Sequence, residues 1–269
     1  MSAVPRSRPP ALTVVKIGGS VLTGPAAFRR VATALGERIV DAPGERLLVV
    51  VSAELGTTDA LLAQARDIAG DPEPGVLDLL WSTGEIRSAA LLTLHLQALG
   101  VQACAANAHQ TGLVDAGPGR RAGIRPLRLH ALLAMHDVVV APGFLARGDR
   151  DAVVSLGRGG SDLTAVLLAA GLGARRCELV KDVPGYYSAD PRADPDATPL
   201  ARLDYAQAIA MARAGCELVQ LAALEAARDA GLTLVVRALE CDARSEVVDC
   251  PHAGDGAADS EPQLTCRGD

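Results

Sequence analysis

Residues 12–20 read Leu12-Thr13-Val14-Val15-Lys16-Ile17-Gly18-Gly19-Ser20, an apolar and β-branched run that breaks into two consecutive glycines. A strand that is apolar along its whole length is covered on both faces, unlike the alternating strand of a half-exposed sheet. The next segment, Ala26 to Val40, carries apolar residues at three- and four-residue spacing and reads as a helix. The same rhythm continues along the chain. Apolar runs Leu47 to Val51, Val101 to Ala106, Val138 to Val140, Glu178 to Val180 and Thr233 to Val236 alternate with helical segments Thr58 to Ile68, Ser88 to Leu99, Asp162 to Leu172 and Asp204 to Ala214. Strands that alternate with helices predict an α/β fold with a mainly parallel sheet covered on both sides. A last short strand, Glu246 to Asp249, is expected before periodicity ends. The predicted layout is a loose arm over residues 1–11, one compact domain over 12–249 with an exposed loop at Gly117 to Arg128, and a disordered tail over 250–269.

Composition narrows the function. The chain of 269 residues has a formal net charge of −6, the reverse of the basic footprint of a nucleic-acid binder, and its six aromatic residues offer little for base stacking. No apolar run reaches the roughly 18 residues of a membrane span, and the first eleven residues lack the apolar core of a secretory signal. A cytoplasmic protein with neither nucleic-acid nor membrane partners is therefore expected. Six scattered cysteines form no CxxC pair, and the five histidines form no HExxH or i, i+4 pair, so no metal site is expected. The cysteines read as small buried hydrophobes or tail thiols. P-loop, GxSxG and kinase HRD/DFG signatures are absent as well.

Of 26 basic residues, 24 are arginine, and the two lysines stand at positions 16 and 181. A chain that has replaced lysine almost everywhere marks each remaining one for a task that suits a compact ammonium and not a planar guanidinium. Four constellations lie at predicted strand ends. Lys16 to Ser20 couples an ammonium to a double-glycine turn whose backbone can approach an anion closely. Ser155-Leu-Gly-Arg158-Gly-Gly-Ser161-Asp162 feeds a glycine-rich loop into a helix N-terminus, an electropositive end that favours phosphate. Lys181 to Arg192 (KDVPGYYSADPR) sets two tyrosines among acidic and basic groups, an arrangement suited to a nucleotide. Finally, Ser82-Thr83-Gly84-Glu85 and Gly56-Thr57-Thr58-Asp59 supply small hydroxyls and lone carboxylates at predicted strand and helix ends, where they suit an amino-acid zwitterion or simple capping.

In this order KIGGS, VSAELGTTD, STGE, APGF, SLGRGGSD, KDVPGYYSADPR and LDYAQAIAMARAG resemble the amino-acid kinase family and, within it, the catalytic domain of aspartokinases. The resemblance spans residues 12–240. It implies a three-layer α/β/α sandwich around an open, mainly parallel sheet of about eight strands. The implied reaction moves the γ-phosphoryl of ATP, with Mg²⁺ bridging the phosphates, to the side-chain carboxylate of L-aspartate. The product would be 4-phospho-L-aspartate. Position by position, it implies that Lys16 contacts the transferring phosphoryl and that Gly18 and Gly19 donate backbone N–H groups in a phosphate-facing turn that ends at Ser20. Asp162, assisted by Ser161, would orient Lys16. Arg158 would hold the α-carboxylate, Glu85 would pair with the α-amino group, and Ser52, Thr58 and Phe144 would line the amino-acid pocket. Asp182, Tyr187 and Arg192 would meet ribose, base and phosphate. The N-terminal part would bind the amino acid and the part from about residue 150 would bind ATP. A homodimer or larger homo-oligomer is implied too.

Two departures from the family pattern stand out. Where aspartokinases carry Gly-x-Lys toward the ATP phosphates, this chain has Gly215-Cys216-Glu217, and the usual threonine before the aspartate of the DVPG loop is Lys181. The expectation is that Lys181 supplies the charge lost at Glu217. The paired regulatory ACT domains are not expected after residue 249, which leaves a separate regulatory subunit as an option. Two alternatives stay open: a family member with another carboxylate acceptor, and a noncatalytic nucleotide-binding homologue in which Glu217 has replaced the phosphate-side lysine.

Overall fold

The computed structural model describes residues 11–115, 123–157, 159–191 and 193–249. Its described residues form strands β1 (Leu12–Ile17), β2 (Arg46–Val51), β3 (Ala103–Ala105), β4 (Leu113–Val114), β5 (Gly123–Ile124), β6 (Val138–Pro142), β7 (Leu145–Arg147), β8 (Val153–Ser155), β9 (Arg176–Lys181), β10 (Arg202–Asp204), β11 (Thr233–Ala238) and β12 (Arg244–Val248). The α-helices are α1 (Pro25–Asp41), α2 (Thr57–Ile68), α3 (Pro74–Ala98), α4 (Ala108–Thr111), α5 (Leu127–Met135), α6 (Gly160–Gly171), α7 (Tyr205–Arg213) and α8 (Leu221–Asp229). None of these helices is long and apolar enough to cross a membrane.

Eight strands form one sheet in the order β10-β12-β11-β9-β1-β2-β6-β3. Six of them are parallel; β12 runs antiparallel to β11, and β10 runs parallel to β12. Side chains alternate across this sheet and so build two cores. Val15, Ile17, Leu47 and Val49 pack on one face beneath Phe28, Val31 and Leu35 of α1 and Leu92 and Leu96 of α3. Val14, Leu48, Cys177 and Leu179 pack on the other beneath Leu129 of α5, Ala165 and Leu168 of α6, Tyr205 of α7 and Leu224 of α8. The expected α/β/α sandwich and its eight-stranded sheet are therefore present.

Local chemistry explains where the helices begin. Glu73 caps α3 by accepting from Gly75 and Val76 N–H, with Pro74 in the first turn, and Asp204 and Gln207 form a reciprocal capping box at α7.

Several expectations need correction. The helix expected at Ser88 begins at Pro74, so Ser82-Thr83-Gly84-Glu85 lies inside α3 and does not lead into it. The hydroxyls of Ser82 and Thr83 are satisfied there, donating to the carbonyls of Leu79 and Leu80 at 2.7 Å. Gly84 is tolerated mid-helix because a Cβ at this position would stand 3.0 Å from Ala53 Cβ and 3.2 Å from Thr57 Cγ2; the glycine lets α3 pass close to the start of α2. The strand expected at Val101 to Ala106 shrinks to Ala103–Ala105, and that expected at Glu246 to Asp249 begins at Arg244.

The exposed loop expected at Gly117 to Arg128 contains β5 and the start of α5 in its described part. Strand β5 belongs to a small sheet, β5-β4-β7-β8, that the sequence pattern did not reveal. The segments 1–10, 116–122 and 250–269, and with them most of the expected arm and the whole expected tail, lie outside the described residues. Cys177 and Cys216 are buried and Cys104 is half-buried, as a hydrophobe reading requires, whereas Cys241 is exposed; Cys250 and Cys266 are outside the described residues.

Candidate active site

Strands β1 and β9 lie side by side with Lys16 opposite Leu179. Period-two alternation places Lys16 and Lys181 on the same face of the sheet, at the C-terminal ends of neighbouring parallel strands, where open α/β sheets hold their ligands. Helix α6 starts directly against them. Its N-cap, Gly159, has φ 72°, a left-handed conformation that glycine adopts freely, and makes no side-chain cap, while Asp162 falls in the first turn. Lys16 Nζ stands 2.8 Å from Asp162 Oδ1, and Lys181 Nζ stands 2.8 Å from Asp162 Oδ2. The second contact is an aligned hydrogen bond; the first is an ion pair without that alignment. Both lysines of the chain thus meet on one carboxylate.

All three side chains are nearly withdrawn from solvent, at 7% (Lys16), 13% (Lys181) and 5% (Asp162) exposure. Burial alone would push Asp162 up, but the two ammonium groups outweigh it and hold its carboxyl well below the usual carboxylate range. For Lys16 burial wins: together with the charge of Lys181 it pulls the ammonium below its ordinary value, against the attraction of Asp162 and Glu85. Two cations against one carboxylate leave a positive excess in a poorly solvated place, which favours the arrival of another anion.

Glu85 faces the same space from α3. It is buried and receives a hydrogen bond from the Ala53 N–H, yet its Oε2 has no partner. Burial raises its pKa to about 7, against the opposing effects of Ala53 and Lys16. A half-satisfied carboxylate of this kind is suited to an incoming ammonium group.

Phe144 forms another wall. Its φ of 67° is rare for a bulky residue, and the backbone is held there by Thr164 Oγ1, which accepts its N–H at 3.0 Å. The Phe144 ring meets Trp81 edge to face at 5.9 Å, and Trp81 Nε1 donates to the carbonyl of Thr58 at 3.2 Å. Beside it, Gly143 permits a close approach that no other residue could make, because a Cβ there would stand 2.7 Å from Ser161 Cβ.

These groups surround a cavity of about 680 Å³, within the range of small-ligand sites. Of the residues expected from sequence, Lys16, Gly19, Ser52, Thr58, Glu85, Phe144, Ser161, Asp162 and Lys181 line it, and Glu217 joins them as an exposed residue at its edge. Gly18, Ser20, Asp182 and Tyr187 do not. The Gly18 N–H donates to Val180 O at 3.0 Å, so the phosphate-donor role expected of both glycines is not open to Gly18 in this arrangement. Ser20 Oγ instead donates to Asp182 Oδ1 at 3.1 Å, which ties the double-glycine turn to the loop after β9. Tyr187 bridges to Pro199 through its backbone. Arg158 and Arg192 lie outside the described residues.

Sequence reasoning missed Trp81 and Gln220, which helps to line the cavity and whose side-chain carbon stands 3.0 Å from a Cβ placed at Gly159. Trp81 could have been found as the single tryptophan of the chain, immediately before the STGE motif; nothing in the sequence marks Gln220.

Among the described residues no group of three or more His, Cys, Asp or Glu could hold a metal ion. A larger open groove of about 1100 Å³ lies elsewhere, where Arg38 is at 2.8 Å, Arg176 at 2.9 Å and Arg237 at 3.1 Å from the buried carboxylate of Glu178. Arg38 pairs with Glu45 as well, and these five charged groups read as a structural ion-pair network.

The model of the amino acid kinase family matches residues 11–238. An aspartokinase of Mycolicibacterium smegmatis is 38% identical over 245 residues, covering 88% of this chain and 57% of the relative, so the chain spans a little over half the length of that curated relative. The crystal structure of an aspartate kinase from Synechocystis superposes with a TM-score of 0.80 at 35% identity, covering 91% of this chain and 41% of that one. That of E. coli aspartokinase III in complex with aspartate and ADP superposes with a TM-score of 0.74 at 26% identity, covering 90% of this chain and 65% of that one. The extent of the family match and the identity to these relatives establish that this chain belongs to the amino acid kinase family.

Proposed function

We propose that the chain transfers the γ-phosphoryl group of ATP, taken up as MgATP, to the side-chain carboxylate of L-aspartate and so forms 4-phospho-L-aspartate. The observation that carries this reading is the meeting of Lys16, Lys181, Asp162 and Glu85 in one cavity: two ammonium groups on one carboxylate, for the transferring phosphoryl, stand beside Glu85, whose Oε2 has no partner, for an α-ammonium group. The naming of the relatives as aspartokinases supports the choice of acceptor.

On this reading an oxygen of the aspartate side chain attacks the γ-phosphorus as the bond from phosphorus to the β,γ-bridging oxygen breaks, and that oxygen leaves on ADP with the electron pair. The nucleophile is already an anion, so no side chain has to remove a proton, in keeping with a cavity whose described lining includes no histidine. Lys16 neutralises charge on the moving phosphoryl, and Asp162 keeps Lys16 aimed. The N-terminus of α6 and the Gly19 turn lie on the phosphate side; Ser161 supports Asp162. Glu85 takes the α-ammonium group, Arg158 the α-carboxylate, and Ser52, Thr58 and Phe144 shape the acceptor pocket. Asp182, Tyr187 and Arg192 serve the nucleoside and phosphates from the loop after β9. The Mg²⁺ belongs to the nucleotide, bound by its phosphates and water. A cytoplasmic setting, where ATP and free amino acids are available, and a homodimeric or larger assembly, with or without a regulatory subunit, complete the proposal.

The test is ADP release from MgATP with L-aspartate, L-glutamate, N-acetyl-L-glutamate or no acceptor. The proposal expects release with L-aspartate well above the other three. Equal release without acceptor, or preference for an acceptor that lacks a free α-amine, contradicts it.

A further inference from the structure

We infer that Lys181 is a second phosphate-contacting cation, which together with Lys16 grips the terminal phosphoryl group of the bound nucleotide while Asp162 holds the two ammonium groups apart. This inference rests on the proposed reading of the cavity as the phosphate site. Four observations carry it. Lys181 and Lys16 are the two lysines in a chain with 24 arginines, and both project from the same face of neighbouring strands. Each nitrogen stands 2.8 Å from a different oxygen of Asp162. Lys16 alone would neutralise that carboxylate, so Lys181 adds a second ammonium to it, and a buried surplus cation is costly unless an anion joins it. Finally, Glu217 occupies the edge of the same cavity as an exposed side chain and brings negative charge to the nucleotide side. A polyphosphate entering past Glu217 needs a compensating cation deeper in the site, and Lys181 is in that position.

A purely structural role for Lys181 would be to hold Asp162. The two roles separate by nucleotide. A cation that grips the terminal phosphoryl discriminates ATP from ADP, whereas a residue that only maintains the fold affects both alike.

The experiment measures binding of ATP, ADP and AMP by calorimetry to the wild-type chain and to Lys181→Met, Lys181→Gln and Lys181→Met/Glu217→Lys, with thermal unfolding recorded for each. Lys181→Met is expected to weaken ATP roughly 10- to 100-fold, to weaken ADP less, and to leave AMP unchanged. Lys181→Gln retains a donor to Asp162, which protects the fold, and is expected to show the same order of losses. The added lysine in Lys181→Met/Glu217→Lys is expected to recover part of the ATP affinity. Unchanged or equally reduced ATP and ADP affinities in both single variants overturn the inference. Wild-type chain that fails to bind ATP overturns it together with the proposed function. Tight ATP binding without phosphorylation of aspartate overturns the acceptor assignment alone, because the ATP-to-ADP comparison still reads the role of Lys181.

Discussion

Lys181 Nζ and Asp162 Oδ2 are 2.8 Å apart although they belong to different elements, the end of β9 and the first turn of α6. Asp162 therefore performs two tasks, pairing with the strand-end lysines and fixing the N-terminus of α6 over the sheet. Removal of its charge leaves two buried ammonium groups without the carboxylate that both contact. Asp162→Asn is expected to lower stability by about 3–5 kcal/mol and to reduce turnover more than it raises the aspartate KM. Urea unfolding monitored by Trp81 fluorescence, together with steady-state kinetics, checks both parts.

With Glu85 as the proposed partner of the α-ammonium group, its pKa of about 7 predicts pH-dependent acceptor binding. Below pH 7 the buried carboxyl is largely protonated and cannot pair with an α-ammonium group; as pH rises through 7 it ionises and can. The apparent Kd for L-aspartate is expected to fall about tenfold per pH unit below 7 and to level off above it. At pH 7, binding should release about half a proton, measurable by calorimetry in buffers of different ionisation enthalpy. Glu85→Gln is expected to weaken binding and to abolish the dependence. A pH profile that persists in Glu85→Gln assigns the titration to another group.

Gly143, directly after β6, passes against Ser161, and a Cβ there would stand 2.8 Å from Ser161 Oγ and 3.0 Å from Val51 O. Gly143→Ala must push the start of α6 away from the sheet. The expected result is a loss of about 1–3 kcal/mol together with a raised aspartate KM, since Phe144 moves with its neighbour. Gly44, whose φ is 90° but whose Cβ position is open, lies in the turn between α1 and β2 and does not line the cavity, so it serves as a control: Gly44→Ala should affect stability without affecting KM.

Glu178 tests whether the arginine cluster is structural. Its buried carboxylate accepts from Arg38, Arg176 and Arg237, which hold its pKa below the ordinary value despite burial. Glu178→Ala is expected to cost about 3–5 kcal/mol and to leave the KM values for aspartate and ATP unchanged at a temperature where the variant is folded. A selective change in KM without loss of stability would give this cluster a functional role.

Much of the fold was legible because the central strands are apolar on both faces. Leu47 to Val51 and Thr233 to Val236 are read correctly from composition alone, since nothing but a covered sheet accommodates them. Strands β4 and β5, two residues each, carry no periodicity to read, and the small sheet exists through tertiary pairing, such as Leu113 with Ile124. Helix α3 was misjudged because Gly84 and two hydroxyl residues mimic a helix start, whereas in the folded chain close packing against Ala53 and bonds back to Leu79 and Leu80 satisfy them.

The site was legible through scarcity. Two lysines among 24 arginines pointed to positions 16 and 181, and both reach Asp162. The spatial role of Gly18 was not legible, because only the pairing of β1 with β9 shows that its N–H is engaged by Val180. Nor could the sequence show that Trp81, through Phe144 and the Thr58 carbonyl, braces one wall of the cavity.

The most direct test of phosphoryl transfer to a side-chain carboxylate is chemical capture of the product. The chain is incubated with MgATP, L-aspartate and hydroxylamine, and the hydroxamate is identified by mass spectrometry, with Lys16→Met run in parallel. The account predicts aspartate β-hydroxamate from the wild-type chain, formed in proportion to ADP and reduced at least about 100-fold in Lys16→Met. Failure to form β-hydroxamate while ATP is bound, or a yield unaffected by loss of Lys16, would contradict it.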